Sequence, residues 1–290
     1  MRPAAAADVE RLTGRATVAR PGGLFELDGG VTVVVKDGGG DPGSIPAEAA
    51  GLRWLAEAHA GGGPPVPDVL GADDDLLVTA LVPPGRPSPT AATELGRRLA
   101  ALHAAGAEAF GCPPPGGPAE AWIGHTGMRN RPHPGPWGDW FAADRVLPYL
   151  RTARDRGDLD PGGAAVIERV CDRIGGLAGP DEPPARLHGD LWSGNVLWSS
   201  PVGSPGRDTE AWLIDPAAHG GHRESDLAML ALFGLPHLDT LLAAYDEAAP
   251  LADGWRGRVA LHQLFPLLVH TVLFGGGYGA QAVAAARRYR

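Results

Sequence analysis

The sequence predicts an α+β chain of two lobes: a small β-rich lobe over residues 1–82, a linker at 83–87 and a larger, mainly helical lobe over 88–290. Three observations predict it. β-branched residues crowd the first part of the chain, above all Val31-Thr32-Val33-Val34-Val35, and such residues suit a pleated, half-buried surface. Pro83-Pro84-Gly85-Arg86-Pro87 can continue neither a helix nor a central strand. Beyond it, apolar residues recur at helical spacing, as in Leu95, Leu99 and Leu102. With 290 residues, 44% of them hydrophobic and 20% charged, the chain can fill the core of one large domain or of two packed lobes.

In chain order, residues 16–19 and 24–27 read as strands around the short loop Arg20-Pro21-Gly22-Gly23. Asp28-Gly29-Gly30 then turns the chain into the strand that ends at Lys36. Pro46 suits an early helical position and opens a helix through Leu52, Leu55 and Ala58, with Glu48 in its first turn. Residues 76–82 form the last strand of the small lobe, and residues 112–118 a surface loop. Trp122, Trp137, Trp140 and Phe141 fall in irregular sequence. Aromatics there either line a ligand site or fill a small core; the core is the reading for Trp140 and Phe141. Helical patterns cover 139–156 and 161–178, a hairpin holds 196–198 and 211–214, and helices run from Ser225 onward.

Bulk composition excludes several classes. A formal charge of -9 argues against general nucleic-acid binding, which requires a basic surface. No uninterrupted apolar run approaches the roughly 20 residues that span a bilayer, so no membrane partner is expected. Residues 1–11 lack the apolar centre of a signal peptide. Cys112 and Cys171 are too few for a disulfide framework or a metal cluster. The cytoplasm, with both thiols reduced, is the simplest compartment.

The chemistry concentrates in His188-Gly189-Asp190-Leu191-Trp192-Ser193-Gly194-Asn195, followed by Trp212-Leu213-Ile214-Asp215-Pro216. Asp190 and Asn195 have the spacing of a phosphoryl-transfer loop, in which an Asp orients and deprotonates the acceptor hydroxyl and an Asn helps to hold a metal. Asp215, at the end of an apolar run, stands where such enzymes place a second metal-binding acid. His188 reads as a loop-fixing histidine and not as the base. Among 25 basic residues Lys36 is the single lysine. It closes a strand, where a compact ammonium meets phosphate oxygens and Arg is a poor substitute. Glu48 is its natural ion-pair partner, and backbone groups from Thr79 to Val82, Thr79 and Leu81 among them, are candidates to bond an adenine edge.

These residues resemble the protein-kinase-like superfamily and, within it, the aminoglycoside and choline phosphotransferases. The narrower resemblance is to the fructosamine kinase (ketosamine 3-kinase) family. It rests on the filled-in octet, on Ile214-Asp215-Pro216-Ala217, on Gly221-His222-Arg223-Glu224 with Asp226-Leu227-Ala228-Met229, and on Leu232-Phe233-Gly234. Leu273-Phe274-Gly275 with Tyr278, and Ile123-Gly124, Asn130 and Trp140-Phe141, extend it. The resemblance implies a protein-kinase-like two-lobe fold and ATP-dependent phosphorylation of the 3-hydroxyl of a ketoamine, either a small glycated amine or a glycated protein lysine. Asp190 would be the base, Asn195 and Asp215 the Mg²⁺ ligands, and Lys36 with Glu48 the phosphate clamp. Trp192 would face the sugar or pack within its loop. Glu224 and Asp226 would be extra polar contacts to the substrate at the site; the favoured alternative is that Arg223 and Glu224 brace the metal loop while Asp226 bonds the catalytic-loop backbone. The sequence departs from the family at Pro21-Gly22-Gly23, a short nucleotide loop that leaves phosphate binding by Gly22 and Gly23 open. A different acceptor (an aminoglycoside, an amino alcohol, another sugar) is the alternative enzyme reading, and a non-catalytic nucleotide-binding scaffold the alternative of another class.

Overall fold

A computed structural model describes residues 4–200 and 209–289. Residues 1–3, the start of the N-terminal segment discussed above, lie outside the described residues, as do 201–208 and 290. β1 (Thr17–Arg20), β2 (Leu24–Leu27), β3 (Val31–Asp37), β4 (Val69–Ala72) and β5 (Leu76–Ala80) form one antiparallel sheet in the order β1-β2-β3-β5-β4. Its inner face buries Phe25, Leu27, Val33 and Val78 together with Val9. Val9 comes from α1 (Ala6–Thr13), a helix the sequence reading lacks because Val9 is its only buried residue. α2 (Ser44–Glu57) opens two residues ahead of Pro46, so Glu48 lies on its second turn rather than its first.

An extended segment leads from Ala80 to α3 (Pro89–Ala104), where Ser88 Oγ caps the helix by accepting the Ala91 N–H at 3.1 Å. β6 (Glu120–Ile123) and β7 (Thr126–Arg129) pair as a hairpin in the stretch expected to be irregular. α4 (Trp137–Trp140) continues through a π-helical turn at Phe141–Val146 into α5 (Leu147–Arg156), and α6 (Pro161–Cys171) follows. Trp140 and Phe141 are 1% and 2% exposed and fill the core of the helical lobe. β8 (Ala185–Leu187), β9 (Val196–Ser199), β10 (Glu210–Leu213) and β11 (His219–Gly221) make two small sheets, β8 with β11 and β9 with β10. α7 (Glu224–Phe233), α8 (Leu238–Ala248), α9 (Trp255–His262), α10 (Leu264–Phe274) and α11 (Tyr278–Ala286) complete the lobe. The run Trp255–Phe274 is, by length and composition, apolar enough to cross a bilayer. Here 67% of its most apolar window is buried inside the protein, as in the core helix of a folded lobe.

Candidate active site

β8 delivers the octet, and its pairing with β11 (His219 opposite Leu187) sets His188-Gly189-Asp190 beside the segment after Asp215. The backbones meet so closely that a Cβ on Gly189, whose φ is +82°, would run into the Ala217 carbonyl oxygen. His188 is fully buried. Its Nε2–H donates to the Ile214 carbonyl at 2.8 Å and its Nδ1 accepts the Asp190 N–H at 3.3 Å. Both ring nitrogens are thereby committed to the loop, which leaves the imidazole no place as a base. Asp226, buried on α7, accepts the N–H groups of His188 and Gly189 at 2.8 and 3.0 Å. Burial opposes its charge, but the His103 ring, His188 and the Gly189 N–H outweigh it and hold the carboxyl below the usual range.

Asn195 closes the loop. Its Nδ2 donates to the Asp190 carbonyl at 2.8 Å and to Asp190 Oδ2 at 3.0 Å. This fixes the amide orientation, and Asn195 Oδ1 accepts no hydrogen bond among the described residues, so it is available to a cation. Burial raises the Asp190 carboxyl above an ordinary aspartate, although His188, Asn195 and His270 pull the other way. Asp215 follows β10 with φ +52°, left-handed backbone that a non-glycine residue adopts only under surrounding constraint. Lys36 Nζ, off β3, lies 2.7 Å from Glu48 Oε2 and 3.1 Å from Asp215 Oδ1. Burial works against the ammonium, yet the two carboxylates outweigh it and raise its pKa. Burial pushes Glu48 up, to about 7, against the pull of Lys36. Strand, helix and metal-loop candidates are thus joined by one ammonium.

A cleft of about 320 Å³ lies at this junction, lined by Lys36, Glu48, Asp190, Trp192, Asn195 and Asp215 among others. Three expected site residues are not in its lining. Thr79 is paired with Val34 on one side and Val69 on the other, and the Leu81 N–H donates to the Thr32 carbonyl at 2.9 Å. Sheet pairing has therefore taken the Leu81 donor expected for an adenine edge. Glu224 is 3% exposed and faces away from the cleft: Arg258 Nη2 and Nε reach its two oxygens at 2.5 and 3.0 Å. A buried carboxylate is tolerable only with such a partner, so Glu224 is a brace of the helical lobe and not an acceptor contact. Arg223 likewise pairs with Glu182, at 2.7 Å. Glu224, His222 and His262 form a cluster of metal-ligand type. Arg258 already holds both carboxylate oxygens, and His222 Nδ1 accepts the Glu224 N–H at 3.2 Å, so that set is spent on packing.

The cleft also contains Asp41, His125 and Asn130, whose roles the sequence reading did not identify. Asp41 and His125 sit in loops with no periodic pattern, 84 positions apart, and only the fold brings them together.

The sequence model of the fructosamine kinase family matches residues 43–289. The chain belongs to that family. It is 36% identical to a probable ketoamine kinase of Synechocystis over 81% of this chain and 75% of that protein. It is 34% identical to one of Thermus thermophilus over 82% and 79%. The crystal structure of a candidate fructosamine-3-kinase from Thermobifida fusca superposes with a TM-score of 0.88 at 47% identity, covering 99% of both chains. An aminoglycoside phosphotransferase at 17% identity shares the fold, with a TM-score of 0.57 over 94% of this chain and 93% of its own. The α+β, protein-kinase-like architecture of this fructosamine kinase family member is therefore that of a wider group of phosphotransferases.

Proposed function

We propose that the protein transfers the γ-phosphoryl group of ATP to the 3-hydroxyl of a ketoamine, a sugar joined to an amine by glycation. The observation that carries this reading is the bonded constellation of Asp190, Asn195, Asp215, Lys36 and Glu48 in one cleft of a fructosamine kinase family chain. Asp190 accepts the proton of the acceptor hydroxyl as the new O–P bond forms and the bond to the β-phosphate oxygen breaks, releasing ADP. Its raised pKa suits that role, since a better base takes a proton more readily. Asn195 holds one Asp190 oxygen by Nδ2 and leaves the other to the substrate. Lys36, steadied by Glu48, offers its ammonium to the phosphate chain. Asn195 Oδ1 and the half-exposed Asp215 carboxylate fit an oxygen-seeking divalent cation, and Mg²⁺ bound there would neutralise phosphate charge. Trp192, 40% exposed beside the base, presents an apolar ring to the sugar. The glycated amine is a small molecule or a protein lysine, and the setting is cytoplasmic deglycation.

ADP release with Mg²⁺·ATP and fructosyl- or ribulosyl-lysine tests the reading, with Asp190→Asn as control. Turnover on a ketoamine should fall by at least ~100-fold in the variant, as for loss of a positioned base, with ATP binding retained. Turnover only on aminoglycosides or amino alcohols would overturn the acceptor assignment, and near-normal turnover in Asp190→Asn would remove that residue from its role.

A further inference from the structure

The β6–β7 hairpin is anchored in the helical lobe. Arg145, on the π-helical turn, donates to the Arg129 carbonyl and to Asn130 Oδ1, each at 2.7 Å, and Tyr149 Oη donates to the Gly127 carbonyl at 2.8 Å. The free face of the hairpin reaches the small lobe. His125 Nδ1 lies 2.7 Å from Asp41 Oδ2, and Trp122 Nε1 donates to the Pro42 carbonyl at 3.0 Å. Both contacts fall on the loop between β3 and α2, so Asp41 is pinned over the cleft by the opposite lobe. Asp41, Trp122 and His125 line the same cleft as Asp190.

Charge bookkeeping singles out Asp41. The cleft is lined by five carboxylates, those of Asp37, Asp41, Glu48, Asp190 and Asp215, against one lysine, Lys36. Glu48 and Asp215 share that lysine. Asp190 is the base, and Asp37 accepts the Gly39 N–H at 2.9 Å in a local turn. Asp41 has one oxygen on His125, while its Oδ1 meets no donor among the described residues. Position assigns it to the acceptor. In the antiparallel pairing of β3 with β5, Val33 stands opposite Ala80 and Asp37 opposite Leu76. The linker therefore leaves the sheet at one end of β3, and Asp41 lies beyond the other end, past Lys36. A nucleotide extending from the linker with its phosphates at Lys36 would point its phosphate end, where the acceptor must lie, toward Asp41.

We propose that Asp41, held by His125, is the counter-ion of the protonated amine of the acceptor, so that the site selects cationic ketoamines over neutral ketoses. This deepens the ketoamine reading and rests on it. A carboxylate with a free oxygen in a partly desolvated cleft makes a charge-assisted hydrogen bond to a secondary ammonium, and a hydroxyl or ether oxygen cannot replace that donor charge.

Steady-state kinetics on the wild type, Asp41→Asn and His125→Gln test it, with fructosyl-lysine and with an analogue whose ether oxygen replaces the amine nitrogen, followed as substrate or competitive inhibitor. In Asp41→Asn, kcat/KM for the ketoamine should fall at least ~10-fold, mostly through KM, as for loss of one charged contact. Binding of the ether and KM for ATP should stay within about twofold, because neither meets the lost charge. His125→Gln should give the same pattern with a smaller loss. Equal losses on ketoamine and ether would make Asp41 a loop-holding residue and overturn the proposal, as would no loss, or an altered Mg²⁺ requirement. A wild type inactive on ketoamines would sink the functional reading and this one with it; an active wild type with an indifferent Asp41→Asn would sink this one alone.

Discussion

Glu224→Gln should damage the fold and spare the acceptor site. The substitution keeps the shape of the side chain and removes the charge that Arg258 meets at 2.5 and 3.0 Å in a site where Glu224 is 3% exposed. Breaking a buried pair by neutralising one partner typically costs about 3–5 kcal/mol, because the other charge stays buried. Linkage gives a similar figure. Burial opposes the charge of Glu224, but the His262 ring and the Arg258 guanidinium outweigh it and take the carboxyl from 4.5 down to about 2. A downward shift of that size is worth roughly 3 kcal/mol. Its sign follows from the direction: the stabilisation is complete above the unfolded value and is lost as pH falls from 4.5 toward 2. For a chain of this size about 2 °C of Tm accompanies each kcal/mol, so Tm should fall by roughly 6–10 °C at neutral pH. Thermal and urea unfolding at pH 7 and pH 3 measure this, and the gap between wild type and variant should narrow at the lower pH. The KM for the acceptor should not change at a temperature where both proteins are folded. A raised acceptor KM with unchanged stability would refute the argument and return Glu224 to the substrate.

Asp215→Ala removes a carboxylate 3.1 Å from Lys36 and should weaken nucleotide binding at least ~10-fold with Mg²⁺ present and far less without it; calorimetry with and without the metal checks this, and an unchanged metal dependence would contradict it. Because burial raises Asp190, the acid limb of kcat/KM should lie above the ordinary aspartate value of about 3.9, with activity lost as pH falls through it; a limb at or below that value would argue against Asp190 as the base. A Cβ on Gly51 would stand 3.2 Å from both Pro216 Cγ and Ala218 Cβ. Gly51→Val should therefore force α2 away from the Asp215 segment, cost about 1–3 kcal/mol of stability and lower turnover more than Gly51→Ala does; equal turnover in the two variants would show that this contact does not set the Lys36–Glu48–Asp215 geometry.

The chemistry-bearing residues were legible because their spacing is local. Asp190 and Asn195 are five positions apart in one loop, and the Asn195 amide bonds directly back to Asp190. Lys36 was legible because a run of β-branched residues leads into it in a chain otherwise purged of lysine. The β6–β7 hairpin was not legible, since four-residue strands among Gly and Pro carry no clear alternation. Thr79 and Leu81 were assigned to nucleotide binding on position alone; what sequence could not supply is the register of β5, which pairs Thr79 on both sides and gives the Leu81 N–H to Thr32. Glu224 stood between two readings for a related reason: an acid near a motif looks the same in sequence whether a substrate or a buried arginine meets it.

By itself, then, the sequence determined the two-lobe α+β architecture, the family and the bonded catalytic loop, because hydrophobic period and short-range spacing are written into consecutive residues. Only tertiary structure decided that Lys36 bridges Glu48 to Asp215, that Arg258 claims Glu224, and that Asp41 meets His125 across the cleft. Those pairings join residues 12 to 179 positions apart, and which distant charges meet is set by strand register and helix packing rather than by the local pattern.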